Sequence, residues 1–174
     1  TALTINQKAL MITADARSTT YGTALVLGSS AYTQLGLINN DSITGVTLKQ
    51  ATNSTVPGTQ GAGAYSGATD GILASAAQGT GLSNYEITYV PGTLTINKAT
   101  LTYTATSATS TYGSTPSVNA GTLTGFVNNE TESVLTGAKI FSSSATATSG
   151  VGRYAINGGG FTSSNYDFVQ AAGN

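Results

Sequence analysis

The chain contains two copies of one sequence pattern, and this internal repeat limits the choice of fold more than any other feature. Three blocks recur in the same order, at offsets of 91, 89 and 81 residues. They pair residues 3–6 with 94–97, 36–41 with 125–130, and 83–87 with 164–168. Such order indicates one structural unit present twice, with changes of length confined to loops.

Each block has the alternation that is typical of strands. Leu101, Tyr103 and Ala105 are separated by threonines, and Leu10 and Ile12 alternate in the same way. A period of two predicts strands that bury one face and leave a threonine-rich face in water. Tyr85, Tyr103 and Tyr166 fall on the apolar positions, so we expect them in the core rather than on a sugar-binding surface.

The segments between these strands predict turns and very little helix. Val90-Pro91-Gly92 has the chemistry of a tight turn, which predicts an antiparallel hairpin of residues 85–90 and 93–97. Residues 53–71 are rich in small polar residues and predict a long loop. The predicted helical turns are residues 41–45 and 130–137, the second with Asn129 as cap and Glu130 and Glu132 in its first turn.

Composition favours a folded protein without nucleic-acid or membrane-spanning features. Only 7% of the 174 residues are charged, the net charge is -1, and 39% are hydrophobic. Disordered chains usually combine high net charge with few apolar residues. Six scattered basic residues give no basic patch for nucleic acid, and no run of 18 apolar residues occurs. The absence of cysteine fits an exported repeat protein.

The residue types leave little room for catalysis. The chain has no histidine and no cysteine, which removes the common nucleophilic triads and zinc sites. Glu130 and Glu132 are the only carboxylates close in sequence, and a helical turn would direct them to different sides. We therefore expect no enzyme activity and no resident cofactor.

Two further kinds of site are candidates at the repeated Asn-Asn-acid block. Its oxygens make calcium a candidate ligand, although the chain lacks an EF-hand loop. Asn40 and Asn129 also begin equivalent glycosylation sequons, and Asn53 begins a third. Ordinary turn and cap roles remain the alternative for all of these residues.

The repeat resembles the MBG domain of the YGX type. Residues 84–99 resemble the end of such a domain, and residues 111–113, 126–137 and 152–156 resemble other parts of it. The resemblance implies mostly-β, grasp-like units in long arrays of large secreted or surface-attached bacterial proteins, including filamentous-haemagglutinin-like adhesins. It implies no catalytic residues.

In that family the unit ends after the Thr-Leu-Thr-Ile strand, which sets the expected domain limits. Residues 1–7 are then a strand that completes a domain of the preceding copy, residues 8–97 form the first repeat, and residues 98–174 form a second repeat without its own closing strand. An open sheet edge invites a strand from another chain. The residues expected at this inter-subunit strand are Leu3, Thr4, Ile5, Tyr166 and Phe168.

The sequence therefore predicts a mostly-β protein of two tandem β-grasp-like repeats in an extended rod, with at most one short helix or 3₁₀ turn per repeat. The predicted function is a structural or adhesive module of an extracellular or cell-surface fibre. Its expected partners are copies of itself, joined end to end by strand donation or as one array, and also surface glycans or biofilm matrix. The alternative is a carbohydrate-binding module on the same scaffold.

Overall fold

The computed structural model describes residues 1–173, and its chain forms two compact units that meet at the Asn97–Lys98 bond. Strands dominate both units, which confirms the predicted mostly-β fold. The first unit contains ten strands: β1 (Lys8–Ala14), β2 (Arg17–Thr20), β3 (Leu25–Val26), β4 (Tyr32–Leu35), β5 (Ile43–Gln50), β6 (Thr55–Val56), β7 (Gly63–Tyr65), β8 (Ile72–Gly79), β9 (Tyr85–Val90) and β10 (Leu94–Asn97).

In the first unit, residues 8–20 and residues 85–97 run side by side and bend at the same place. Each segment thereby passes from one sheet into a second sheet. β1 runs parallel to β9, and β4 covers its other edge. Beyond the bend, β2 runs parallel to β10, and β7 covers the far edge of β10. The two smaller sheets pair β3 with β6 and β5 with β8. β10 is therefore a central strand with neighbours on both sides.

The predicted hairpin of residues 85–90 and 93–97 is wrong, because β9 and β10 belong to different sheets. Pro91-Gly92 is the bend between those sheets rather than a hairpin turn. A Cβ on Gly92 would lie 2.4 Å from the Ala14 carbonyl oxygen, where the two bent segments touch. Glycine is thus required here for close backbone approach, and Gly92 also exchanges hydrogen bonds with Ile72.

The core of the first unit lies between these sheets. Leu10 and Ile12 of β1, Leu48 of β5 and Ile72 of β8 are at most 1% exposed. β10 contributes alternate residues to the same core, as the period-two pattern predicts. Full burial of one such aliphatic side chain contributes about 1.5–3 kcal/mol.

The second unit repeats part of this plan with five strands. They are β11 (Ala99–Ala105), β12 (Gly121–Thr124), β13 (Thr136–Ser143), β14 (Ile156–Thr162) and β15 (Tyr166–Gln170). β11 lies between β12, which is antiparallel, and β15, which is parallel, as β1 lies between β4 and β9. β13 and β14 form a hairpin. Among the residues described, no strand corresponds to β2 or to β10 in this unit.

The short helical segments differ in place from those predicted. Residues 41–45 are not helical, because β5 already begins at Ile43. The helical segments of the first unit are α1 (Gly67–Asp70) and a 3₁₀ turn at Leu82–Asn84. In the second unit a 3₁₀ turn covers Glu132–Val134, and Thr131 caps it instead of Asn129. Threonine takes this role because its hydroxyl accepts a hydrogen bond from the Ser133 amide.

Two other segments bear on the sequence predictions. The predicted long loop over residues 53–71 contains β6, β7 and α1. In the single chain residues 1–7 form no strand, and the strand by which they would complete a domain of another copy stays a prediction. A strand needs a neighbour for its backbone hydrogen bonds, and no segment of the described chain pairs with residues 1–7.

Candidate functional site

The Asn-Asn block of the first unit forms a left-handed turn held by a buried tyrosine. Asn39 and Asn40 have φ angles of 56° and 60°, and the Asp41 amide donates to the Ile38 carbonyl at 3.0 Å. Positive φ at both central residues is the pattern of a type I′ turn, which asparagine tolerates well. The Tyr85 hydroxyl accepts from the Ile38 amide at 3.0 Å and donates to Asp41 Oδ2 at 2.8 Å.

The second unit repeats this arrangement. Asn128 and Asn129 have φ angles of 54° and 58°. The Tyr166 hydroxyl accepts from the Val127 amide at 3.1 Å and donates to the Glu130 carboxylate. We call each assembly a tyrosine–acid turn, formed by residues 38–41 with Tyr85 and by residues 127–130 with Tyr166. Its recurrence with a different acid shows that the geometry, not one residue type, is maintained.

The electrostatics of the first tyrosine–acid turn keep the phenol protonated. Burial raises the pKa of Tyr85, the backbone hydrogen bond from Ile38 lowers it, and the hydrogen bond and charge of Asp41 raise it again. The net direction is upward, so Tyr85 remains a neutral donor to the carboxylate. This arrangement suits a structural link between a turn and a strand.

The predicted metal and modification sites fall on these same turns. Asp41 and Glu130 each accept a tyrosine hydroxyl, and Glu132 pairs with Lys139 at 2.6 Å. Over residues 1–173 no group of three or more carboxylates could hold a metal ion. Asn40 and Asn129 are exposed. Calcium binding and glycosylation at these turns stay predictions.

The strand β10 closes the first unit. Leu94 pairs with Arg17 on one side and Tyr65 on the other, and Ile96 pairs with Thr19 and Gly63. The two aliphatic side chains are only 0% and 3% exposed. The Tyr21 amide donates to the Asn97 carbonyl at 2.8 Å, and the Tyr21 ring is 5% exposed at the end of the strand.

The second unit has a groove in the position where the first unit has β10. The groove measures about 670 Å³. Residues 105–118 form one wall. Their counterparts at the offset of 91 are residues 14–27, a range that includes β2. The other wall is residues 143–156, which join β13 to β14 as residues 50–72 join β5 to β8. We call this feature the closing groove.

Large side chains are exposed at the closing groove, and one of them has a buried counterpart in the first unit. Tyr112, the counterpart of Tyr21, is 70% exposed. Val151 and Tyr154 on the opposite wall are also exposed. The exact repeat of Tyr21-Gly22 as Tyr112-Gly113 was the sequence signal that the surroundings of the two tyrosines should match.

The residues predicted for the inter-subunit strand fall in two different places. Leu3 and Ile5 are 89% and 87% exposed, and with Thr4 they lie outside every strand. Tyr166 and Phe168 lie in β15 inside the second unit, where Tyr166 is 1% exposed and Phe168 stacks on Tyr103 at 5.7 Å. The latter two residues belong to the core rather than to the closing groove.

The tyrosines of residues 1–173 differ in exposure, which bears on the carbohydrate-binding alternative. The predicted core positions Tyr85, Tyr103 and Tyr166 are confirmed, since each is at most 4% exposed. The exposed tyrosines among the described residues are Tyr112 and Tyr154, both at the closing groove.

In residues 1–173 no helix is long and apolar enough to cross a membrane.

Comparison with known protein families identifies the family of both repeats. The family model described as MBG domain (YGX type) matches residues 10–95 and again residues 101–174. These two matches confirm the tandem repeat that the sequence predicts. No curated protein and no solved structure matches the chain.

Proposed function

The chain belongs to the MBG domain (YGX type) family, and from this premise we propose that it is a non-catalytic, structural or adhesive repeat module of an extracellular fibre or adhesin stalk. Membership of this family supports a role as a repeat module of surface adhesin-like proteins. We propose further that neighbouring copies associate end to end, each giving a strand to the next. Surface glycans or biofilm matrix are the proposed outer partners.

One observation carries this proposal. The first unit encloses β10 between two strands, whereas the second unit has the closing groove at the same position. An exposed sheet edge beside a groove is the usual setting for strand addition, in which main-chain hydrogen bonds give affinity and alternate side chains fill pockets. Residues 3–6 have the same sequence as β10, and their two aliphatic side chains are exposed.

Self-association of purified protein tests the proposal. The chain should form oligomers whose mass grows with concentration, measured by light scattering, and filaments in electron micrographs. Leu3→Asp with Ile5→Asp should abolish this association, because two charges would be buried at the positions where Leu94 and Ile96 are buried in the first unit.

The matched control adds the same two charges to the other face of the segment. Ala2→Asp with Thr4→Asp should retain association, because their counterparts are exposed: Thr93 just before β10 and Thr95 within it. A monomeric wild-type chain, or equal loss in both variants, would contradict the proposal. A monomeric chain that instead binds soluble glycans through Tyr112 and Tyr154 would favour the carbohydrate-binding alternative.

A further inference from the structure

We infer the register in which the closing groove receives a strand from a second copy: Leu3 beside Ala108, Thr4 beside Thr109, Ile5 beside Ser110 and Asn6 beside Thr111, with the two segments parallel. This inference rests on the proposed function and specifies its interface. It follows from the pairing inside the first unit and from the arithmetic of the repeat.

The repeat offset of 91 residues determines one register. β10 and residues 3–6 differ by 91 positions, and β2 and residues 108–111 also differ by 91. In the first unit, Leu94, Thr95, Ile96 and Asn97 pair in parallel with Arg17, Ser18, Thr19 and Thr20. Because residues 3–6 replace β10 and residues 108–111 replace β2 position by position, each observed pair maps onto one intermolecular pair.

The backbone hydrogen bonds that flank β10 extend the same register at both ends. The Arg17 amide donates to the Thr93 carbonyl at 2.9 Å, and the Tyr21 amide donates to the Asn97 carbonyl at 2.8 Å. The equivalent intermolecular bonds run from the Ala108 amide to the Ala2 carbonyl and from the Tyr112 amide to the Asn6 carbonyl. The second bond brings the incoming strand beside the exposed Tyr112 ring.

The side chains agree with this register and oppose a shift by one residue. Alternate positions of a strand face opposite sides, so a one-residue slip would turn Leu3 and Ile5 to water and Thr4 to the groove. In the inferred register the two aliphatic side chains enter the groove, as Leu94 and Ile96 enter the core of the first unit. The small residues Ala105 and Ala108 on the groove wall leave room for them.

Disulfide trapping between two single-cysteine chains tests the register, because the natural chain has no cysteine. Chains with Thr4→Cys are mixed with chains carrying either Thr109→Cys or Thr111→Cys and oxidised mildly. Both acceptor positions correspond to exposed residues of β2, namely Ser18 and Thr20. Neighbouring Cα atoms on adjacent strands lie within disulfide reach, whereas a residue two positions along lies beyond about 7 Å.

The Thr4–Thr109 pair should cross-link at least about ten times faster than the Thr4–Thr111 pair, a difference set by that reach. The intrachain pair Ser18→Cys with Thr95→Cys, which copies the register within the first unit, sets the reference rate. As a second readout, the Ala108 and Tyr112 amides should become protected from hydrogen exchange when chains associate.

The outcomes separate the register from the function. Association with equal or reversed cross-linking rates, or with both amides unprotected, would overturn the register and leave the proposed end-to-end function standing. Absence of association together with absence of cross-linking would overturn both. Fast Thr4–Thr109 cross-linking with protection of both amides would support both.

Discussion

At the scale of single residues, the two units fill equivalent core positions with side chains of different size. Ile12 in the first unit corresponds to Tyr103 in the second, and Tyr103 contacts Phe141 edge-on at a ring distance of 6.1 Å and stacks on Phe168. The larger ring needs space opposite it, and Gly158 of β14 provides that space. A Cβ on Gly158 would lie 2.5 Å from the Tyr103 ring.

Gly158→Ala should therefore destabilise the second unit by about 1–3 kcal/mol, the usual cost of overpacking a core. Gly159→Ala is the matched control, because a Cβ there meets nothing within 4 Å. Urea unfolding followed by tyrosine fluorescence measures both variants. Equal stability of the two variants would show that Tyr103 can move away without cost.

Residue-level patterns in the sequence predicted the core but not the tyrosine–acid turns. Alternation placed Tyr85, Tyr103 and Tyr166 inside, and the structure agrees. The partnership of Tyr85 with Asp41 spans 44 residues, so no local pattern reveals it. The sequence signal for this contact was that both copies have a tyrosine and an acid at equivalent positions.

At the scale of elements, the bend between β9 and β10 decides the topology of the first unit. The same bend separates β1 from β2, and the two bent segments pair along their whole length on both sides of it. Pro-Gly chemistry is common to hairpin turns and to bends of this kind. The sequence could locate the bend between β9 and β10. Pairing with the distant strands β1 and β2 is what keeps β10 from folding back onto β9.

Gly92→Ala should destabilise the first unit by about 1–3 kcal/mol through overpacking, because its Cβ would collide with the backbone of Ala14 and Asp15. Thr93→Ala, an exposed neighbour, should change the stability by less than about 0.5 kcal/mol. Urea unfolding followed by circular dichroism gives the comparison. A neutral Gly92→Ala variant would mean that the two bent segments are not in close contact.

At the scale of the whole molecule, the two units differ in how much core they possess. Of the buried hydrophobic residues in the described chain, 13 lie in the first unit and 5 in the second. Small domains that bury little apolar surface are marginally stable by themselves. The second unit should therefore unfold first, and a strand in its closing groove should raise its stability.

A peptide of residues 1–7 should raise the lower of two thermal transitions in the Leu3→Asp/Ile5→Asp chain, which cannot associate through its own segment. At a peptide concentration of 100 times Kd the gain is about 2.7 kcal/mol, or roughly 10–20 °C for a unit of this size. Differential scanning calorimetry resolves the two transitions. The same peptide with aspartate in place of Leu3 and Ile5 should have no effect, and a shift of the upper transition would point to binding elsewhere.

The common offset of 91 residues has a consequence for how such a protein changes its length over evolution. In the proposed assembly, a gene segment that encodes one repeat encodes both a donated strand and the sheet edge that receives the equivalent strand. The number of codons between the strand and the edge is the same in both copies. Gain or loss of one segment by recombination then leaves every remaining joint with a compatible partner. The proposed joint therefore predicts that the protein can lengthen or shorten in whole repeats without compensating mutations at an interface.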